Sequence, residues 1–407
     1  MNSLTLQQKA GRLNGWLLAL MAFALPLSTS ALSVLAILIL LVWLVEGNFR
    51  EKWRVIISNP VAIAVLVYLG LYVFGLLWTE DMNAGLDVLK KQWKLMLFPV
   101  FLTAVRGSLR RVYMGFFLAG MTVAMAMTYL AWFGLLQYAD VTPTHLTRGT
   151  FHVIYNPLLA FAIYLLLHEL LWGKIRGWPA WPLAGLVVLM IVNMFITEGR
   201  IGQLVFFVLL GVVLLQIFKT KVLWAVLLMA FLFPLIFTAG YKLSPVFHDR
   251  VDQAYTEVVD FRNNLHSSVG MRLAFWKNSW KIIKENVWTG VGTGDFQAAY
   301  AAVNKRYSFD LRETDNPHNQ YILVFCQLGL LGLIALAAIF TTQIRQAFVR
   351  RADVIRGYGQ ETMDWQRIRF AFPIFFLSIM LTESYLIISG TGFLFSLFGA
   401  IIYARVK

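Results

Sequence analysis

The sequence predicts an all-α integral membrane protein of about twelve transmembrane helices with one large loop outside the membrane. Three observations carry that prediction. Hydrophobic residues make up 59% of the 407 positions and charged residues only 14%, with a mean hydropathy of +0.67; soluble domains run near ~45–50% and ~25%. The apolar excess is gathered into runs, many of them close to the roughly 20 residues that cross a ~30 Å hydrocarbon layer as helix. Basic residues between the runs alternate in density, as they do when Lys and Arg hold cytoplasmic loops in place.

The apolar runs lie near 15–28, 30–46, 60–78, 93–105, 113–137, 154–172, 181–197, 202–218, 222–239, 318–341, 368–387 and 391–404. Pro26 followed by Ser28, Thr29 and Ser30 marks a break between the first two; a single kinked helix over 15–46 fits the same residues. The N-terminal stretch is basic and then apolar, like a signal peptide, but the apolar character continues to about residue 45 and reads as retained helices. The short run at 93–105 is expected to begin near Lys90. With the N-terminus in the cytoplasm, the inside loops hold 20 Lys and Arg and the short outside loops hold 5, namely Lys90, Lys91, Lys94, Arg148 and Arg200. That asymmetry sets both termini inside and the 240–317 segment outside. The chain therefore divides into spans one to nine over 1–239, a loop over 240–317, and spans ten to twelve over 318–407.

The net charge of +14 would suggest nucleic acid in a soluble protein. Here it belongs to membrane topology, and no nucleic-acid partner is expected. The single cysteine, Cys326, excludes an intramolecular disulfide and a cysteine metal cluster. The loop has 10 Lys and Arg against 9 Asp and Glu. Within it, 270–287 reads as an amphipathic helix, with Leu273, Trp276, Trp280, Ile283 and Val287 on one stripe and Lys277, Lys281 and Lys284 on another. It fits an interfacial helix or a cap on the bundle equally well.

Several residues carry candidate chemistry. Arg200 lies in the short turn TEGRIGQ between two apolar helices; its planar fork suits phosphate oxygens, and Gly199 and Gly202 allow close backbone approach. An interface anchor is the alternative. Arg272 falls beside the tryptophan stripe and away from the lysines. His318, after Pro317, is expected with Asn319 in the first turn of the next helix, facing the loop, where an imidazole serves as a general base near neutral pH. The turn GVGTGDF over Gly290–Phe296 is glycine-rich but lacks the lysine and spacing of a P-loop, so a tight turn is its ordinary reading. Glu313, Asp315 and His318 match no strong ligand spacing, and neither metal nor cofactor is expected. Lys94 belongs to a mixed-charge face suited to steering an anion. Arg148, His152 and Tyr155 share a second outer loop, HLTRGTFHVIY. Glu383 falls in the eleventh run, where an ionisable group is a site candidate or a structural hydrogen-bond partner.

In order and spacing, these features resemble the O-antigen ligase family and its relatives, the O-antigen polymerases and protein O-oligosaccharyltransferases. The resemblance rests on TEGRIGQ, the loop arginine followed by tryptophan and GVGTGDF, PHNQYI, and a large outer loop before the last three spans, and it covers most of the chain. It implies a GT-C type glycosyltransferase of the bacterial inner membrane, with a periplasmic loop between spans nine and ten and the active site facing the periplasm. The implied donor is a glycan on undecaprenyl diphosphate, and for a ligase the implied acceptor is a sugar hydroxyl of lipid A–core oligosaccharide. Arg200 and Arg272 would hold the diphosphate and His318 would take the acceptor proton, inverting the anomeric centre without a metal. Asn319, Lys94, Arg148 and Tyr155 are candidate supporting residues. A polymerase or protein O-oligosaccharyltransferase is the alternative within the superfamily; a short C-terminal part disfavours the latter. A lipid or anion transporter is the alternative outside it, and would place charges deep in several spans.

Overall fold

The computed structural model describes residues 5–136, 141, 146–147, 152–173, 177, 180–260, 266–307, 311–349 and 359–404. Among these residues the chain is helical, with no strand. It opens with a hairpin, α1 (Leu6–Ala24) and α2 (Thr29–Glu46). Thr5 and Gln8 close α1 with reciprocal caps, and Ser28 caps α2. The break at Pro26 thus separates two helices, and Gly11 lies against Glu46, so α2 returns alongside α1.

A short amphipathic helix, α3 (Phe49–Ile57), precedes α4 (Pro60–Phe74), where Asn59 caps and Pro60 takes the first position. A 3-10 turn extends α4 to Trp78, and α5 (Met82–Lys91) follows behind an Asp81 cap. The chain breaks at Gln92 before α6 (Trp93–Met96) and α7 (Phe98–Ala104). The expected start of this run near Lys90 is therefore corrected: the lysines close a separate helix, their charge falling at its C-terminal end. Next come α8 (Arg110–Trp132), α9 (His152–Trp172), α10 (Ala180–Ile196), α11 (Arg200–Phe218) and α12 (Val222–Leu243). The loop region folds into α13 (Pro245–Val259), α14 (Ser268–Glu285) and α15 (Phe296–Tyr307), before α16 (Gln320–Phe348), α17 (Gly359–Ile379) and α18 (Ser389–Tyr403).

Among the described residues, seven helical stretches are long and apolar enough to cross a membrane: Thr29–Glu46, Pro60–Trp78, Gly107–Trp132, Val153–Trp172, Arg200–Phe218, Val222–Leu243 and Gln320–Phe348. Three shorter apolar stretches, Trp93–Ala104, Ala180–Ile196 and Ser389–Tyr403, pack among them. Residues from Gly390 to Tyr403 on α18 are all buried, and α9 is buried over most of its length, so these two helices form the axis of the bundle. At the other extreme, α12 exposes Leu223, Trp224, Phe231 and Leu235, a surface suited to lipid.

Three local expectations change. The buried face of α14 is Gly270, Ala274, Phe275, Asn278, Ser279, Ile282 and Ile283, while Trp280 and Val287 are exposed. The wheel misplaced that face because Asn278 is buried with its amide satisfied by the Tyr300 hydroxyl and by Asn304. The helix after the loop starts at Gln320, with Asn319 as its cap accepting from Tyr321 and Ile322, so Pro317 and His318 precede it. The eleventh run stops being helical at Ile379, and 380–388 forms a non-helical segment bonded to the start of α16. Gln320 N–H donates to Met380 O, and Leu386 N–H donates to the Gln320 side chain. Irregular backbone within an apolar bundle needs such internal partners.

The GVGTGDF turn is structural. Helix α16 is broken at Gly329, which has φ +61°. The preceding turn fills the break: Val291 and Gly292 donate to the carbonyls of Cys326 and Gln327, and Leu330 donates to Val287 O. A Cβ on Gly290 would lie 2.4 Å from Gln327 C, and one on Gly329 would lie 2.3 Å from Trp288 C. These glycines permit two backbones to touch. Asp295 completes the turn by accepting from the N–H groups of Glu80 and Asp81.

Candidate functional site

Helices α9, α11, α13 and α14 meet at one end of the bundle. The turn between α10 and α11 is tight because Thr197 Oγ1 donates to Asn156 on α9 and Gln203 reaches back to Met194 O. A Cβ at Gly199 would lie 2.4 Å from Asn156 Nδ2, and one at Gly202 would lie 2.2 Å from Asn156 Cβ. The two glycines therefore serve the packing of α9 and place Arg200 at the first position of α11.

A small cavity of about 130 Å³ opens beside Arg200. Val153, Glu198, Gly199, Arg250, Ser268 and Arg272 are among its walls. Arg200 and Arg272 thus share one cavity although 72 positions separate them. Arg250 on α13 joins them as a third arginine. Sequence reading passed over it; its only signal was position in the outer loop, where it is one of ten basic residues. Arg200 Nη1 lies 3.6 Å from Glu257, and Arg250 pairs with Glu198. Among the described residues Arg272 makes no ion pair.

The histidine centre lies farther along α14. Phe275 stacks on the His318 ring at 5.9 Å between centroids, and Trp276 Nε1 donates to Pro317 O at 3.0 Å. His318 has φ +52°, a left-handed conformation that β-carbon residues seldom adopt. Its N–H is held by Asn316 Oδ1 at 3.0 Å. Backbone strain of this kind gathers at functional sites and requires surroundings that enforce it.

His318 Nδ1 lies 2.5 Å from Glu383 Oε2 in the 380–388 segment. The other Glu383 oxygen accepts from Asn316 Nδ2 at 2.6 Å and from Ser384 N–H at 2.8 Å. Burial raises the Glu383 carboxyl, but the hydrogen bonds from His318, Ser384 and Asn316, with the charge of His318, outweigh it and hold the group below its ordinary value. Glu383 thereby holds the Nδ1 side of the ring and leaves Nε2 outside that contact. The sequence had singled out Glu383 as an ionisable residue in an apolar run, but 65 intervening steps in sequence hid its partner.

The two parts of the site adjoin. Tyr385, two residues beyond Glu383, donates its hydroxyl to the carbonyl of Val153, a wall of the arginine cavity. The charges of Glu383 and Arg272 both act on that hydroxyl. Asn319 Nδ2 donates to Leu381 O, so the α16 cap is tied to the same segment.

Of the supporting residues, Lys94 is not on a solvated charge face. It is 4% exposed and donates to Ile387 O at 2.8 Å, anchoring the Glu383 segment from α6. Gly392 rests against its stem. Tyr155 is buried, with its hydroxyl on Asn193 and Asn193 on Thr128, and it lines a separate cavity of about 370 Å³ with Leu27 and Val123. Arg148 lies outside the described residues. Among the described residues no group of three or more His, Cys, Asp and Glu could hold a metal ion.

The fold and site define a polytopic helical membrane protein with an arginine-lined cavity and a histidine–carboxylate pair at one end of its bundle. Residues 185–337 match the protein-family model described as O-Antigen ligase. This match supports the O-antigen ligase family, to which the motifs pointed. It runs from α10 into α16 and includes Arg200, Arg250, Arg272 and His318, while Lys94 and Glu383 lie outside it. No curated protein matches the chain.

Proposed function

We propose that this protein transfers a glycan from a lipid diphosphate to an acceptor hydroxyl. Members of the matched family are glycosyltransferase-like enzymes. The observation that carries the reading is the His318–Glu383 pair, at 2.5 Å, beside a cavity with three arginines. In this reading the donor is a glycan on undecaprenyl diphosphate, and the acceptor is a sugar hydroxyl of lipid A–core oligosaccharide. The chain crosses the bacterial inner membrane about twelve times in a GT-C type arrangement, with both termini cytoplasmic and the site facing the periplasm.

Each residue then has a task. Arg200 and Arg272 stabilise the charge that develops on the departing diphosphate, aided by the N-terminus of α11. Glu383 fixes the His318 tautomer, and Nε2 takes the acceptor proton as the new glycosidic bond forms. The anomeric carbon–phosphate oxygen bond breaks on the opposite side, so the anomeric centre inverts. Asn316, Asn319 and Lys94 hold the segments that carry this pair. In this reading the arginines are the positive partners of the diphosphate, and no step calls on a metal.

A transport reading would leave the paired histidine without a task. The polymerase reading differs only in the acceptor. Purified protein, lipid-linked glycan and lipid A–core, incubated with chelator, should give glycosylated lipid A–core. His318→Ala should give none while still folding and inserting. Undiminished product from that variant would remove the base assignment. Extension of the donor glycan itself would identify a polymerase.

A further inference from the structure

Arg250 belongs to the cavity but to no motif, and its carboxylate partner Glu198 is the acid of TEGRIGQ. Arg250 pairs with Glu198 through Nη2 and donates from Nη1 to Gln253 Oε1 at 3.0 Å, so its fork is held from two sides. Glu198, Gln253 and Arg250 all line the cavity. The side chains of Glu198 and Glu257 are each 8% exposed, against 32% for Arg250 and 30% for Arg200. The acids therefore sit deep and the arginines face the opening. Behind them the amide nitrogen of Asn156 is buried and has no partner among the described residues. Among the described residues, three guanidinium groups and two carboxylates leave the group with a single net positive charge.

That balance matters because the anion changes charge during the proposed reaction. The donor diphosphate is esterified at both ends. The released lipid diphosphate has a free terminal phosphate, whose second ionisation falls near about pH 6, so at neutral pH it carries almost one more negative charge. Three unopposed arginines would hold that product more tightly than the substrate.

We infer that Arg250 is a third ligand of the diphosphate, and that Glu198 weakens retention of the lipid diphosphate product by offsetting the charge of Arg250. The inference rests on the reading of the cavity given above. Glu198 acts as a counter-charge set into the site. Its amide would keep the shape and a hydrogen-bond acceptor while removing the charge.

The test is binding of undecaprenyl diphosphate, with inorganic pyrophosphate as a second probe, to the full-length protein in detergent. Arg250→Gln should raise Kd about tenfold or more, the loss expected for a charge-assisted contact. Glu198→Gln should lower Kd by a comparable factor and make progress curves flatten early, with recovery when a phosphatase removes the product. Arg250→Lys should fall between Arg250→Gln and the parent. Melting curves identify any variant that fails to fold, and Glu198→Asp, which keeps the charge, should then keep the parental affinity. Weaker binding in Glu198→Gln, or no change in either charge variant, would overturn the inference. Opposite shifts in affinity without any glycan transfer would sustain it and remove the transfer reading. Transfer with affinities unchanged would do the reverse.

Discussion

The two ends of the bundle use their cations differently. At the end opposite the site, basic side chains donate to backbone carbonyls, and Lys52 also pairs with Glu46 at 3.0 Å. Lys52 Nζ reaches Trp43 O at 2.7 Å and Arg369 Nε reaches Ile402 O at 3.2 Å, both in the last turns of helices. Arg110 reaches Ala404 O, and Arg106 Nε reaches Gly11 O at 2.8 Å. Helix C-termini leave carbonyls unsatisfied and carry partial negative charge, so a cation placed there stabilises the fold. At the site end, helix N-termini converge, and the arginines face carboxylates and a cavity. Guanidinium groups near helix N-termini oppose the dipoles and favour an anion between them. One end closes helices, and the other gathers arginines around a cavity.

If this contrast is right, substitutions at the two ends separate stability from turnover. The largest effect belongs to His318. His318→Ala should lower glycan transfer by about 10²–10⁴-fold, the usual contribution of a positioned base. It should still fold, with a melting temperature lowered only by loss of the Glu383 pair. Arg110→Met at the far end should do the opposite. Loss of its bond to Ala404 O should destabilise the fold by about 1–3 kcal/mol, while transfer per folded molecule stays at the parental rate. A loss of turnover in Arg110→Met would break the contrast.

Arg200→Lys comes next. A lysine keeps the charge but loses the two-pronged fork, so kcat/KM for the lipid-linked donor should fall about tenfold or more. Parental donor kinetics in this variant would remove Arg200 from the diphosphate.

The sequence made the helical membrane class legible because apolar runs and basic flanks are local signals. It also named Arg200, Arg272 and His318, each of which lies in a short motif. Other features depended on distance. Glu383 was visible as an ionisable residue, but only the non-helical 380–388 segment brings it to His318. Lys94 looked solvated because its neighbours Lys90 and Lys91 are exposed, whereas the chain break at Gln92 turns it inward. Arg250 had no motif at all. The glycines of GVGTGDF suggested a turn, and the broken helix they fill gave no sign in a run as apolar as Gln320–Phe348.

That filled break supplies a smaller test. Gly329 combines φ +61° with a backbone neighbour 2.3 Å from where its Cβ would stand. Gly329→Ala should destabilise by about 1–3 kcal/mol in thermal melting. It should also slow transfer, because the turn that plugs the break connects α14, with Arg272, to α16, with His318 at its start. A melting temperature and rate equal to the parent would show that the two helices do not need this contact to stay in register.

The smallest effect expected is a pH dependence from Glu383. Its carboxyl is held below the ordinary value of 4.5 in the folded protein, burial being outweighed by its hydrogen bonds and the charge of His318. A group with a lowered folded value stabilises the fold fully above its unfolded value and loses that contribution as the pH falls through the folded one. The melting temperature of the parent should therefore exceed that of Glu383→Gln at neutral pH, and the gap should close on acidification below 4.5. Arg110→Met, altered at the other end, should keep a constant gap from the parent over the same range. A gap between parent and Glu383→Gln that does not close would mean that shape, rather than charge, is what Glu383 brings to the fold, and the histidine would then lack an ionised partner.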